Sequence, residues 1–328
     1  MVWFKRLLLI TTILTLIVIV FGSYVRLTDA GLGCPDWPGC YGTLTVPESE
    51  EAIDKALHHY PDSTIETDKA WIEMIHRYIA GILGLLIFTI AVISYKRREE
   101  ISTTVAIPFA LLGLVCFQAA LGMWTVTELL QPGIVTSHLM GGMTILALMA
   151  YLTHRHLGTI QNQMSFDLHI VRVARIALCL LFIQILLGGW TSTNYAALAC
   201  TDYPTCHGSL IPDMDFQNGF SVFRELGMTS DGEHLSLQAL HAIQWVHRVG
   251  AIILTGTVIY LFSLLRSISG IGFYGNLLIL VITLQFIIGV SNLLLHLPIV
   301  LATTHNFLAA LLVIILVIIN SRLTAKYD

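Results

Sequence analysis

A glutamate and a histidine lie three residues apart at the start of an apolar stretch of the sequence, as Glu73 and His76. On a helix, residues at this spacing share one face. An ionisable pair inside a membrane helix is energetically expensive, so it predicts a functional site. A later stretch repeats the pattern with one change, because Gln244 replaces the glutamate and His247 follows it three residues later. The two stretches therefore indicate related sites with different chemistry.

Four of the 13 histidines occupy equivalent places in the two halves of the sequence: His76, His138, His247 and His305. In each half, one begins the second predicted helix and the other begins the fourth. These two helices run in the same direction in a four-helix bundle, so their imidazoles can face each other across its core. Two opposed imidazoles suit the axial positions of a heme iron. A zinc ion fits less well, because each bundle offers two histidines and no obvious further ligands to complete a zinc site. We predict all four as iron ligands; hydrogen-bonded or interfacial histidines are the alternative.

The other histidines have no equivalent in both halves. They are expected in solvated or interfacial places, either in loops or at helix ends. These residues are His58, His59, His154, His156, His169, His207, His234, His241 and His296.

Arg77 and Arg248 each follow a predicted iron ligand directly. Heme propionates need cationic partners, and arginine can bind a carboxylate through two parallel hydrogen bonds. The two arginines are therefore candidate propionate contacts. The alternative is an interfacial arginine whose side chain extends to lipid headgroups.

Two pairs of cysteines each enclose five residues that include a proline: Cys34 with Cys40, and Cys200 with Cys206. On the orientation predicted below, both pairs face the oxidising side of the membrane, where thiols tend to pair. We predict one disulfide in each loop. A single zinc ion held by all four cysteines is the alternative, although the spacing is wide and the pairs lie in different halves. A short disulfide loop stabilises only modestly, which leaves open whether the disulfides are structural or redox-active.

The composition is that of a membrane protein, with 55% hydrophobic and 12% charged residues among 328, whereas about a quarter of the residues of soluble domains are charged. Apolar runs of about 17 to 25 residues can cross a bilayer as helices. Eight such runs predict an all-α membrane protein, and we expect the first to be retained rather than cleaved. No basic patch supports nucleic acid binding. The runs lie near 7–23, 73–95, 104–125, 135–153, 174–193, 243–265, 274–295 and 298–318.

An internal duplication relates the two halves. Displacements of 166 or 167 positions link equivalent residues, and the histidines of the second helices are 171 apart because the loops differ in length. We therefore predict two tandem four-helix bundles related by a pseudo-twofold axis along the membrane normal. The predicted domains are 1–155, a cytoplasmic linker at 156–170, and 171–328. Linked pairs include Gly22 with Gly188, Gln118 with Gln285, Gly122 with Gly289, Pro132 with Pro298, and the cysteine pairs.

Positively charged residues predict the orientation, because cytoplasmic loops retain lysine and arginine. With the N-terminus inside, eleven of the 17 lie on the cytoplasmic side. Both termini are then cytoplasmic and the cysteine loops face outwards, in a bacterial-type plasma membrane. The eleven are Lys5, Arg6, Lys96, Arg97, Arg98, Arg155, Arg172, Arg175, Arg266, Arg322 and Lys326.

Together these motifs resemble the heme A synthase family, in the form with cysteines in both outer loops, over essentially the whole chain. The resemblance rests on Glu73, the four histidines with their following arginines, and the paired cysteines. It implies a membrane monooxygenase-type enzyme that oxidises the C8 methyl of heme O to a formyl group in two steps, giving heme A for cytochrome oxidase. It implies that one bundle handles heme O and the other holds a heme b cofactor. Heme O synthase and an unidentified electron donor are implied candidate partners, and homo-oligomerisation stays open.

The exchange of glutamate for glutamine then predicts which half binds heme O and which binds heme b. A carboxylate beside a heme can carry protons, whereas an amide cannot titrate. Glu73 is therefore the candidate catalytic residue of a heme O site in the first half, and the half with Gln244 is the heme b site. An ion pair between Glu73 and Arg77, four residues later, is the alternative.

Two other protein classes fit parts of this pattern. A di-heme cytochrome b that only transfers electrons would use the same histidines, but it gives no reason for a carboxylate at one heme and an amide at the other. A transporter could use tandem bundles, but no predicted helix is clearly broken at mid-membrane, where transporter sites usually lie.

Overall fold

The computed structural model describes residues 2–61, 63–101, 105–157 and 166–324. Within these ranges the chain is helical and forms no strand, only isolated bridges in loops. Eight helices are long and apolar enough to cross a membrane, which confirms the predicted class and number. The long helices are α1 (Val2–Leu27), α3 (Thr67–Lys96), α5 (Ala106–Thr127), α6 (Pro132–Leu157), α7 (Leu168–Thr193), α9 (Leu237–Leu265), α10 (Gly272–Leu294) and α11 (Ile299–Thr324), and the short ones are α2 (Glu50–His59), α4 (Arg98–Ile101) and α8 (Phe216–Gly219).

Several helices extend beyond the apolar runs that predicted them. Helix α3 begins at Thr67 and α9 at Leu237, whereas the apolar runs begin at 73 and 243. Hydropathy identifies only the part of a helix that lies in the bilayer. The helix itself begins and ends where its terminal backbone hydrogen bonds are satisfied by caps. At α9 the side chain of Ser236 accepts a hydrogen bond from the N–H of Ala239, at 3.2 Å. The longer α3 places Glu73 in the second turn of its helix rather than at its start.

The long helices of each half pack against one another as a ring of neighbours. In the first half α1 and α5 each pack on both α3 and α6, and in the second half α7 and α10 each pack on both α9 and α11. The halves meet where α11 packs on α1 and α6, and where α6 packs on α7. The pseudo-twofold relation and the domain limits stay predictions, and residues 158–165 of the expected linker lie outside the described ranges.

Left-handed backbone conformations recur at positions that the duplication links. Non-glycine residues adopt a positive φ only rarely. Positive φ angles at equivalent positions of the two halves therefore indicate that both halves form the same turns. Two of the pairs lie just before α6 and α11, where Pro132 is the first residue of α6, a favoured position for proline, and Pro298 immediately precedes α11. The pairs are Asp29 with Tyr195, Tyr41 with His207, Leu129 with His296, and Leu130 with Leu297.

Candidate functional site

The four predicted ligand histidines lie as two pairs, one in each half. His76 on α3 is close enough to His138 on α6 for their imidazoles to interact electrostatically. His247 on α9 has the same relation to His305 on α11. All four residues are partly exposed. The chain thus brings together the residues that the sequence pattern paired, while their binding of iron stays a prediction.

A glycine on a neighbouring helix faces each of the four imidazoles. A Cβ added at three of these glycines would lie closer to the ring than side chains normally approach, so the glycines make the space that the rings occupy. The sequence placed all four glycines in its repeat, but it did not indicate that they face the histidines. The distances from the added Cβ are 2.9 Å from Gly22 to His76 Nε2, 3.5 Å from Gly122 to His138 Cε1, 3.1 Å from Gly188 to His247 Cε1, and 2.9 Å from Gly289 to His305 Cε1.

Three glutamines contact these histidines, and the sequence did not assign them to the site. Gln118 and Gln285 recur in the duplication, which was the available signal. Gln184 has Val18 at its equivalent position, so no repeat could reveal it. The contacts are Gln118 Nε2 to His138 O at 2.7 Å, Gln184 Nε2 to His247 O at 2.9 Å and to His247 Nδ1 at 3.0 Å, and Gln285 Nε2 to His305 Nε2 at 3.3 Å.

The residues of both pairs fit a heme. The Nδ1 atoms of His138 and His305 are buried and have no hydrogen-bond partner within the described ranges. Imidazole pairs of this kind are standard iron ligands, and the surrounding helices are apolar. An apolar groove of about 500 Å³ also lies between α1 and α11. Phe21 lines it and stacks on the ring of His76, with centroids 6.3 Å apart.

Both predicted disulfides form, with Cα atoms 4.8 Å apart for Cys34–Cys40 and 4.7 Å apart for Cys200–Cys206. An aspartate closes the turn in the second loop, where Asp202 accepts hydrogen bonds from the hydroxyl of Thr205 and from the N–H groups of His207 and Gly208. These bonds hold the pKa of Asp202 well below its usual range. Asp36 accepts the equivalent backbone bonds in the first loop, from Tyr41 and Gly42.

Glu73 and Gln244 hold these loops in matching ways. Each residue is only 5% exposed. Glu73 Oε2 accepts a hydrogen bond from the N–H of Cys34 at 2.9 Å, and Gln244 Oε1 accepts one from the N–H of Cys200 at 2.5 Å. The second atom of each group differs, because Glu73 Oε1 forms an ion pair with Arg77 whereas Gln244 Nε2 donates to a backbone carbonyl. The sequence thus anticipated the ion pair as an alternative, but not the shared contact with the loop.

Arg77 and Arg248 also bind the disulfide loops. Arg77 donates to the carbonyl of Asp36 at 2.8 Å, and Arg248 donates to those of Asp202 at 2.9 Å and Thr205 at 2.8 Å. Neither extends away from the protein in the manner of the interfacial alternative. Their predicted contact with heme propionates stays a prediction.

The expectation that His241 lies in a solvated or interfacial place is wrong. The residue is only 8% exposed. Because α9 begins at Leu237, His241 lies inside the helix, and its ring packs near the second disulfide. The apolar run gave no sign of this, since it begins only at position 243.

Comparison with known proteins agrees with this site over the whole chain. Residues 5–317 match the model of the COX15-CtaA family, described as cytochrome oxidase assembly protein. A relative from Shewanella oneidensis named heme A synthase is 42% identical over 326 residues, covering 99% of this chain and 97% of the relative. Another of that name from Flavobacterium johnsoniae is 26% identical, covering 90% of this chain and 91% of its own. The chain therefore belongs to the COX15-CtaA family of cytochrome oxidase assembly proteins.

Proposed function

We propose that this protein oxidises the C8 methyl group of heme O to a formyl group, producing heme A for cytochrome oxidase. Its membership of an assembly family and its similarity to relatives named heme A synthase support an oxidoreductase of heme A synthesis. The chain contributes two imidazole pairs in apolar surroundings to this activity. In the proposal one pair holds the substrate and the other a resident heme b.

One observation supports the proposal that the first half binds heme O and the second half binds heme b. Glu73 and Gln244 make the same contact with equivalent cysteines, but only Glu73 can titrate. If both positions served only to hold a loop, either residue type would suffice, as Gln244 illustrates. We therefore place heme O in the first half, between His76 and His138. Heme b then lies in the second half, between His247 and His305.

Bound heme b supplies a redox-active iron, and the chain's residues position the reactants and handle protons. The Glu73 carboxylate has about four lone-pair sites, and its contacts with Arg77, Cys34 and Gly33 leave at least one of them free. Glu73 can therefore accept a proton during the oxidation without releasing the loop. A positioned carboxylate of this kind contributes about 10²- to 10⁴-fold in rate.

The proposal includes a place in the cell and candidate partners. The eight candidate spans of the described residues support a location of both termini on one side of the membrane, and the lysine and arginine distribution supports the cytoplasm as that side. The disulfide loops then face outwards from a bacterial-type plasma membrane. Heme O synthase and a separate electron donor are the proposed partners.

Pigment extraction from the purified protein, followed by chromatography, separates this proposal from a di-heme cytochrome b. We expect heme b together with heme O or heme A, because the substrate site retains substrate or product. Heme b alone, at about two per chain as expected for two bis-histidine sites, would contradict the proposal and favour the cytochrome.

A further inference from the structure

Two histidines lie beside the second disulfide. A ring nitrogen of His241 and the Sγ atoms of Cys200 and Cys206 all lie within 4.8 Å of one another. The ring of His207 lies next to that of His241, with centroids 5.1 Å apart. Two sulfurs and one imidazole are thus grouped together, and a second imidazole lies beside the first.

The first disulfide loop has no such histidines. The duplication places Tyr41 at the position equivalent to His207, and Ala70 at the position equivalent to His241. The two loops otherwise share their disulfide, their turn and their anchor to Glu73 or Gln244. The fold therefore does not require the histidines, and the first loop serves as an internal control.

The two ring nitrogens of His241 differ in their surroundings. Its Nδ1 lies 3.4 Å from the carbonyl oxygen of Asp213, while its Nε2 is buried and has no partner within the described ranges. Metal-binding histidines commonly donate one ring N–H to a carbonyl and coordinate through the other nitrogen. A buried nitrogen without a partner is unfavourable unless it meets a ligand.

We propose that the second loop, once its disulfide is reduced, is a binding site for Zn²⁺. Cys200, Cys206 and His241 provide three ligands, and His207 provides the fourth by releasing its hydrogen bond to the carbonyl of Ala199, which measures 2.9 Å. Two thiolates and two imidazoles form a common tetrahedral zinc set. The loop then has two states, an oxidised one closed by the disulfide and a reduced one closed by the metal.

The chemistry of the switch balances with a dithiol as reductant. The dithiol gives two electrons and two protons to the disulfide and becomes a disulfide itself. Zn²⁺ then displaces the two thiol protons of Cys200 and Cys206. No electron passes to or from the metal.

Zinc binding by the full-length purified protein, with its heme, tests this proposal. The protein is reduced anaerobically with a dithiol, desalted and incubated with Zn²⁺, and bound zinc is counted after gel filtration. We expect about one zinc per reduced chain, with Zn–S distances of about 2.3 Å and Zn–N distances of about 2.0 Å by X-ray absorption. The oxidised protein should bind less than about a tenth as much, because its sulfurs are not thiolates.

Matched variants locate the site. Cys34→Ser/Cys40→Ser should bind zinc as the wild type does, whereas Cys200→Ser/Cys206→Ser should not. His241→Gln should weaken binding at least about tenfold, and His207→Tyr, which copies the first loop, should remove one nitrogen from the zinc shell. An unchanged heme spectrum confirms that each variant is folded.

Three results would overturn the proposed site: no zinc bound by the reduced protein, undiminished binding by His241→Gln, or binding that depends on Cys34 and Cys40. An unchanged number of nitrogen ligands in His207→Tyr would overturn the role of His207.

Discussion

Gln184 distinguishes the two histidine pairs at the scale of single residues. It holds both the ring and the backbone carbonyl of His247, whereas Val18 at the equivalent position has no polar side chain to offer His76. The ring of His76 meets the backbone of Val18 instead. The two halves therefore hold equivalent histidines through different groups, a side-chain amide in the second half and a backbone group in the first.

Replacing one histidine in each half separates cofactor from substrate. His247→Ala removes a proposed ligand of heme b and should lower heme b to below about a tenth of one per chain. His76→Ala should keep heme b and abolish heme A formation. Heme per chain, measured as the pyridine complex alongside circular dichroism to confirm folding, gives the result. Loss of heme b from His76→Ala but not from His247→Ala would reverse the assignment.

The histidines and disulfides could be predicted at this scale because the duplication shows each of them twice. Gln184 and His241 could not, because each occurs in one half only. Their roles depend on contacts between segments distant in the sequence. The burial of His241, for example, depends on where α9 begins and on how the second loop folds over it.

At the scale of helices, the glycines determine how closely each imidazole approaches its neighbour. Gly22 on α1 and Gly122 on α5 belong to the same half and face His76 and His138 respectively. The space differs, since an added Cβ would lie 2.9 Å from His76 Nε2 but 3.5 Å from His138 Cε1. Only the first of these distances would force the ring to move.

Gly22→Ala should therefore impair the first half, and Gly122→Ala serves as its control. Overpacking costs about 1 to 3 kcal/mol, so we expect roughly tenfold slower heme A formation from Gly22→Ala and no more than about a twofold change from Gly122→Ala. Heme b should stay unchanged in both variants. Equal heme A formation by the two variants would show that the space beside His76 does not matter.

The helices could be predicted in number but not at their ends. Hydropathy identified all eight spans because burial in lipid demands long apolar runs. It placed α3 and α9 too late, because helix starts depend on local hydrogen bonds, such as the cap of α9 by Ser236, rather than on hydropathy. The residue affected is His241, which lies in α9 before the predicted start at position 243.

At the scale of the whole molecule, two similar halves are proposed to do different work. The halves repeat their turns, disulfides, glycines and histidine pairs, and they meet where α11 packs on α1 and α6. Glu73 and Gln244 hold the disulfide loops at equivalent positions, and of these two residues only Glu73 can titrate. A protein with identical halves could hold two hemes, but it would have no basis for oxidising only one of them.

Glu73→Gln tests this central claim most directly, because it makes the first half resemble the second. Gln244 already forms the equivalent contact with the N–H of Cys200, so the variant should fold, form both disulfides and keep its heme b. Conversion of heme O to heme A, measured by chromatography of extracted pigments, should fall by about 100-fold or more. Heme A formation at the wild-type rate in a variant with full heme b would contradict the proposed role of Glu73.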